Sequence, residues 1–335
     1  MNYISIYKLG SNYTSDVYNS GRWVDGKKTK ELEEKLKEYL HIPYVVLTNS
    51  GTSALLAAYW VCKNTYNKLT VDPYTFPATY QPAKMLQYTV NFKRYIPHNS
   101  KEKVILPPWS SLMTITHLFG QPHYLLGQIK TRDFIEDACQ AFGAKFNGKF
   151  VGTFGKIGCF SFYPTKSLHA CGHAGAVIRS DEQYYRQMKI FIESGRKNGM
   201  MTDSIALNLR IDEIKAEYLL KELKGYDTRI ATQRDIAHEY KKVIPGYQPF
   251  LAEETNTYHT YSVFNLLIPD RDAFRTYMDK QGIQTLVYYG EDMVPSSQKQ
   301  NYKDVTSSIV AIPCRWNLTH AEIHRVTHAL QGWFQ

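Results

Sequence analysis

The run "CFSFYPTKSLHACGHAG", residues 159–175, alternates small and aromatic residues in the manner of a strand, reaches a lysine at Lys166 and then breaks into glycine and histidine. A lysine amine attacks a carbonyl and forms a Schiff base only where burial or nearby cations lower its pKa. An ordinary surface lysine laying its stem along apolar neighbours reads the same way. The lysine therefore has meaning only with partners.

A pyridoxal phosphate (PLP) site would require three more parts: a phosphate cradle, a carboxylate for the pyridine nitrogen and a flat face for the ring. "NSGTSAL", residues 49–55, offers the cradle. Gly51 permits a tight turn, and the amides and hydroxyls of Thr52 and Ser53 open a helix whose dipole favours a dianion. The same letters also spell an everyday cap and turn. "FIEDACQAFGA", residues 134–144, puts acids at a strand end. Strand alternation sends Asp137 and Glu136 to opposite faces, so they need not share a role. Asp137 can hold a pyridine nitrogen or equally cap a helix.

The elements that must position these groups follow from periodicity. Leu32, Leu36, Tyr39 and Leu40 form one stripe of a helix over 29–42, and "PYVVLTNS" follows as a strand. A helix restarts at 50–62 with Ser or Thr able to cap it. A short strand, a Pro-punctuated loop and a helix occupy "NKLTVDPYTFPATYQPAKML". Further strands are predicted at 103–106, 112–116, 133–137 and 157–163. This alternation implies a mostly parallel α/β sheet with its ligand beyond the carboxyl ends of the strands. Beyond residue 180 long helical patterns fill 181–199 and 211–243. Strands are then predicted in "HTYSVFNLLI" and "IQTLVYY", and helices in "DRDAFRTYMDKQG" and "THAEIHRVTHALQGWF". The division expected is a large domain over 1–229 and a small α+β domain over 230–335.

Composition sets outer bounds. With 43% hydrophobic residues among 335, the chain can bury one large or two moderate cores. Five widely spaced cysteines, never in C-x-x-C register, indicate neither disulfides nor structural zinc. The formal charge of +9 is spread along the chain, and no helix-turn-helix or zinc-finger pattern accompanies it, so nucleic-acid binding is not indicated. His320, His324 and His328 share a helical stripe, but no carboxylate stands in H-E-x-x-H register and no metal site is expected. No apolar run approaches membrane length and the first residues lack the pattern of a secretory signal, so a cytoplasmic protein is expected.

Ten stretches in order, among them "GRWVDGKKTKELEEKLKEYL", "NSGTSALLAA", "DPYTFPATYQPA", "THLFGQP", "IEDACQAFGA", "GKFVGTFGKIGCFSFYPTKSL", "LNLRIDEIKAEYLLKEL" and "AIPCRWNLTHAEI", resemble the landmarks of the DegT/DnrJ/EryC1 family of PLP-dependent sugar-nucleotide aminotransferases. The resemblance implies the aspartate aminotransferase-like fold (fold type I): a large domain with a mostly parallel seven-stranded sheet, a smaller C-terminal domain, and a homodimer with shared active sites. By position, Lys166 would be the Schiff-base lysine and Asp137 would hold the pyridine nitrogen. Gln140 would lie near the ring's phenolic oxygen and Phe76 would stack on the ring. Thr52, Ser53 and Ser161 would hold the phosphate, and Asn208 would reach it across the dimer interface. The family's dehydratase branch carries histidine at the lysine position, so Lys166 favours transamination. The implied substrates are an amino-acid donor, glutamate first, and a nucleotide-linked keto-sugar. Other acceptors, such as an aminocyclitol precursor or a modified nucleotide, and a non-catalytic PLP-binding regulator remain as alternatives.

Four departures accompany the resemblance. Gly172-His173-Ala174-Gly175 replaces the usual Gly-Glu-Gly-Gly turn. Phe142 and Tyr288 stand where histidine is usual, and both are expected near the acceptor. The segment before "FIEDACQ" is short, with little room for the customary helix.

Overall fold

In the computed structural model, which describes residues 3–6, 15–95, 106–129, 133–247 and 256–335, the first long helix, α1 (Lys27–Leu40), has Gly26 at its N-cap and so no cap of its own. The Glu213 carboxylate takes that place from across the fold: the N–H groups of Lys28 and Thr29 donate to its two oxygens at 2.7 and 3.0 Å. A Cβ on residue 26 would collide with that carboxylate, so the close approach requires glycine. Leu32, Leu36 and Leu40 are buried along one stripe, with Tyr39 half-buried beside them.

Seven strands form one sheet. They are β1 (Tyr44–Thr48), β2 (Lys68–Val71), β3 (Thr89–Phe92), β4 (Leu112–Thr116), β5 (Phe134–Asp137), β6 (Ile157–Ser161) and β7 (Gly175–Arg179), in the spatial order β1-β7-β6-β5-β4-β2-β3. Only β7 runs against its neighbours. Both faces are covered, which is why the strands read as nearly unbroken apolar runs. Val45, Leu47, Phe160, Ala176 and Ile178 face one core, shared with α1 and with α4 (Glu213–Leu223). Val46, Cys159 and Val177 face the other, shared with α2 (Gly51–Cys62) and α3 (Glu182–Ile192).

A second body follows. Strands β8 (Phe264–Leu267) and β9 (Ile309–Ile312) pair antiparallel and pack against α6 (Arg271–Lys280) and α7 (His320–Phe334). Ile4 joins this core through a parallel bridge to Ile283. The helix α5 (Tyr226–Lys242) runs unbroken past residue 230: Tyr226 and Ile230 lie in the sheet's core, while Ile236, Ala237 and Tyr240 lie in the second. A further cluster of Tyr74, Leu118, Phe119, Tyr289, Val294 and Tyr302 fills the space between the bodies.

Several predicted elements differ. The pattern over 211–243 is two helices, split where Gly225 turns left-handed at φ +70°. The pattern over 181–199 stops at Ile192, because Ser194 and Gly195 are also left-handed and lead into a two-residue hairpin, Arg196–Lys197 against Met200–Met201. "IQTLVYY" is no strand: Leu286 makes one isolated bridge to Ala311, and the segment then leaves the ladder so that Tyr289 can turn into the interior. Strand pairing in "HTYSVFNLLI" begins only at Phe264, since Thr260 and Val263 spend their N–H groups on Gly120 and Phe119. Of the strand predicted at 103–106, residues 103–105 lie outside the described residues. The β4 to β5 connection carries only two short 3-10 turns, Leu118–Gly120 and Tyr124–Gly127, within its described residues.

Candidate active site

Strand β5 ends with two buried acids on opposite faces, as alternation requires. Glu136 accepts from the N–H groups of Gly152, Phe154 and Gly155 at 2.7, 2.6 and 2.5 Å and pairs with His117 Nε2 at 3.0 Å. It is spent on holding that loop. Asp137 receives one donor on each oxygen: the Thr79 hydroxyl on Oδ2 at 2.6 Å and the Cys139 N–H on Oδ1 at 3.2 Å. It is buried, yet among the described residues no cation reaches it within ion-pair distance. A buried carboxylate in that state can accept a further positive partner at little cost.

Lys166 stands across from it. Its N–H closes a turn onto the Tyr163 carbonyl at 2.8 Å just after β6 ends. Burial lowers the pKa of its amine, while the nearby Cys139 and Asp137 oppose that shift. Burial outweighs the pull of the acid, which favours the free amine needed for attack on a carbonyl.

The helix α2 begins beside them. Ser50 caps it, accepting from Ser53 N–H at 3.1 Å, and its carbonyl takes Ala54 N–H. Among the described residues the N–H groups of Gly51 and Thr52 have no acceptor, which leaves two donors at the positive end of a helix. Thr52 is exposed. Ser53 is drawn inward, donating its hydroxyl to Asn49 Oδ1 at 2.6 Å. A Cβ on Gly51 would lie 2.7 Å from Ser161 Cβ and 3.2 Å from its Oγ, so Ser161 abuts the same turn. Gly175 is equally constrained, since a Cβ there would meet the Ser50 backbone at 2.6 Å. The departed turn thus keeps the one glycine that close approach demands.

Phe76 is 52% exposed and stands 6.5 Å, centroid to centroid, from Tyr289. Gln140 is buried, with its Oε1 accepting from Phe119 N–H at 3.0 Å and its Nε2 donating to the Tyr289 hydroxyl at 2.7 Å. Asn208 is exposed and its amide oxygen accepts from Arg210 Nε at 3.1 Å, next to Leu209, whose carbonyl takes Asn49 N–H. Lys166, Asp137, Ser161 and the α2 turn are therefore gathered at the carboxyl ends of β5, β6 and β1.

Phe142 does not border that space. It is buried in the core, stacked on Tyr39 at 5.3 Å and edge-on to Phe160, Phe162 and Tyr226, so its bulk fills the sheet's core and not an acceptor site. Tyr288 is half-buried against Phe119 and Tyr289. Two residues escaped the sequence reading. Thr79 lies three residues past Phe76 in a motif already singled out, and Tyr289 follows Tyr288. Among the described residues no three His, Cys, Asp or Glu side chains gather to hold a metal.

The site thus gathers an unpaired buried carboxylate, two free amides at a helix start, an exposed aromatic side chain and a desolvated amine, groups that can take a cationic nitrogen, an anion, a flat ring and a carbonyl. The architecture and this set define the aspartate aminotransferase-like fold, fold type I. The chain belongs to the DegT/DnrJ/EryC1/StrS aminotransferase family, whose sequence model matches residues 6–331. It is 28% identical over 298 residues (85% of this chain, 80% of the relative) to a UDP-N-acetyl-3-dehydro-alpha-D-glucosamine 3-aminotransferase of Acidithiobacillus ferrooxidans. It is 25% identical, covering 95% of this chain and 90% of the relative, to the dTDP-3-amino-3,4,6-trideoxy-alpha-D-glucose transaminase of Streptomyces venezuelae. The crystal structure of AtS13 from Actinomadura melliaura shares the fold at a TM-score of 0.87, with 22% identity and 99% of each chain covered.

Proposed function

We propose that this chain is a PLP-dependent aminotransferase that moves an amino group from an amino acid, glutamate first among candidates, to the keto carbon of a nucleotide-linked sugar. The observation that carries the reading is the desolvated amine of Lys166 beside the unpaired Asp137 carboxylate, above the free amides of α2. The names of the relatives support the sugar-nucleotide acceptor.

PLP, when bound, would supply an electron sink for the pair released as a Cα–H bond ionises. Asp137, fixed by Thr79 and Cys139, would keep the ring nitrogen protonated. The amides of Gly51 and Thr52, with the hydroxyls of Thr52 and Ser161, would hold the phosphate, and Ser53 would shape the turn through Asn49. Phe76 would cover one ring face. Lys166, as a free base, would carry a proton between Cα and C4′. Met200, Met201, Ile205 and Leu207 are exposed around Asn208, which supports a homodimer whose partner chain covers this apolar patch. Among the described residues no helix is long and apolar enough to cross a membrane, and a cytoplasmic setting suits such substrates.

The test begins with PLP-loaded protein. Glutamate should bleach its visible band, and mass spectrometry over a panel of keto-sugar nucleotides should then reveal one aminated product. A band that persists with every amino donor would favour a PLP-holding regulator. Bleaching without any aminated sugar would favour another acceptor.

A further inference from the structure

Gln140 joins three segments distant in the chain, and both of its contacts fall on residues with unusual backbones. Phe119, whose N–H it accepts, has φ +59°, and Tyr289, to whose hydroxyl it donates, has φ +57°. Bulky residues rarely hold the left-handed region, and such outliers gather where geometry serves a site. The two rings stack at 5.8 Å, and Tyr74 packs edge-on to Tyr289 at 5.9 Å while donating to the Tyr288 carbonyl at 3.0 Å.

Hydrogen-bond polarity then decides the rest. A backbone N–H only donates, so the Phe119 bond fixes which end of the carboxamide is oxygen, and the other end must donate to the phenol. The Tyr289 oxygen is therefore an acceptor toward Gln140. Its own hydrogen has no protein acceptor among the described residues. Gln140 spends its oxygen on Phe119 and one of its two amide hydrogens on the phenol. The hydrogens left to donate are the Tyr289 hydroxyl's and the second one on Gln140 Nε2, and of the two it is the phenol whose oxygen is held in place by a bond from another side chain.

We propose that Tyr289 is a further cofactor-facing group, whose hydroxyl, aimed by Gln140, donates a hydrogen bond to the phenolic oxygen of PLP, with Gln140 acting as its positioning residue. The proposal rests on the PLP reading above. Asp137 and Cys139 from the end of β5 and the phenols of Tyr74 and Tyr288 are the titratable groups that face it among the described residues. A donor to the phenolic oxygen stabilises negative charge there and so lowers the pH at which the bound chromophore loses its proton.

The experiment titrates the visible band of the PLP-loaded protein against pH in the wild type, Tyr289→Phe, Gln140→Leu and the double variant, with thermal unfolding measured alongside. Phenylalanine keeps the ring packing and removes only the hydroxyl. The midpoint should rise by about one pH unit in Tyr289→Phe. It should move the same way in Gln140→Leu, and the double variant should shift no further than Tyr289→Phe alone. A lower unfolding temperature with an unchanged midpoint would make the pair a structural strut and overturn the proposal. If Tyr289→Phe does not accumulate folded, the Gln140→Leu midpoint decides. A wild type that forms no visible band with PLP would overturn the PLP reading, and this inference with it, whereas a normal wild-type titration with unshifted variants defeats this inference alone.

Discussion

Thr79 and Asp137 lie 58 residues apart in the chain, and the threonine hydroxyl donates to the carboxylate at 2.6 Å inside the protein. The Tyr59 hydroxyl in turn donates to the Thr79 carbonyl at 2.6 Å, which ties the turn to α2. The acid that would face the ring nitrogen is thus oriented by a residue on another loop. Thr79→Val should lower kcat about tenfold, the worth of one hydrogen bond to a charged group. Thr79→Ser should restore most of it. Steady-state kinetics of both variants check this, and a valine variant with wild-type kcat would refute it.

Among the described residues Lys166 is the buried amine beside Asp137. Lys166→Ala should abolish turnover by at least about a thousandfold, as expected when nucleophile and proton carrier are lost together. Because its side chain makes no hydrogen bond among the described residues, the melting temperature should stay near that of the wild type. Single-turnover kinetics and calorimetry test the two halves separately.

Gly175 pairs with both Thr48 and Ser161 and touches the start of α2. In Gly175→Ala the new Cβ meets backbone atoms of Ser50 and Gly51, which cannot swing aside, so the turn that opens α2 and would hold the phosphate must shift. The expected cost is about 1–3 kcal/mol of stability, together with at least tenfold weaker PLP binding. Equilibrium dialysis against PLP would contradict this if affinity were unchanged.

Glu33 sits between α1, β1 and α3, where it accepts weakly from Leu47 N–H at 3.4 Å. Burial pushes its carboxyl up to about 7, partly offset by Lys189 and Lys37. Its folded pKa exceeds its unfolded value of 4.5, so the folded state binds more protons across that interval. Stability relative to Glu33→Gln should therefore fall as pH rises from about 4.5 to 7, by on the order of 2–3 kcal/mol, and level off above. Urea unfolding of both proteins at pH 4.5 and 8 measures the difference, and a pH-independent gap would exclude it.

Local signals explain what was legible. Lys166, Asp137 and the α2 turn each sit where a strand meets a turn residue, and the strand ends themselves place them together. Tyr289 escaped because its partner Gln140 is 149 residues away, and because "IQTLVYY" has the composition of a strand while its last residues turn inward. Phe142 was misplaced for a related reason: its neighbours in sequence line the site, but the turn after Ala138 points its ring into the core. The break at Gly225 lay inside a continuous helical period, and a single glycine costs a helix too little to announce a boundary.

The helix α5, whose two ends anchor in different cores, acts as a shared axle. Swinging one body against the other would bend a hydrogen-bonded rod in its middle, where it has no proline or glycine to give way. The unbroken rod therefore stiffens the junction of the two halves against swinging about its midpoint.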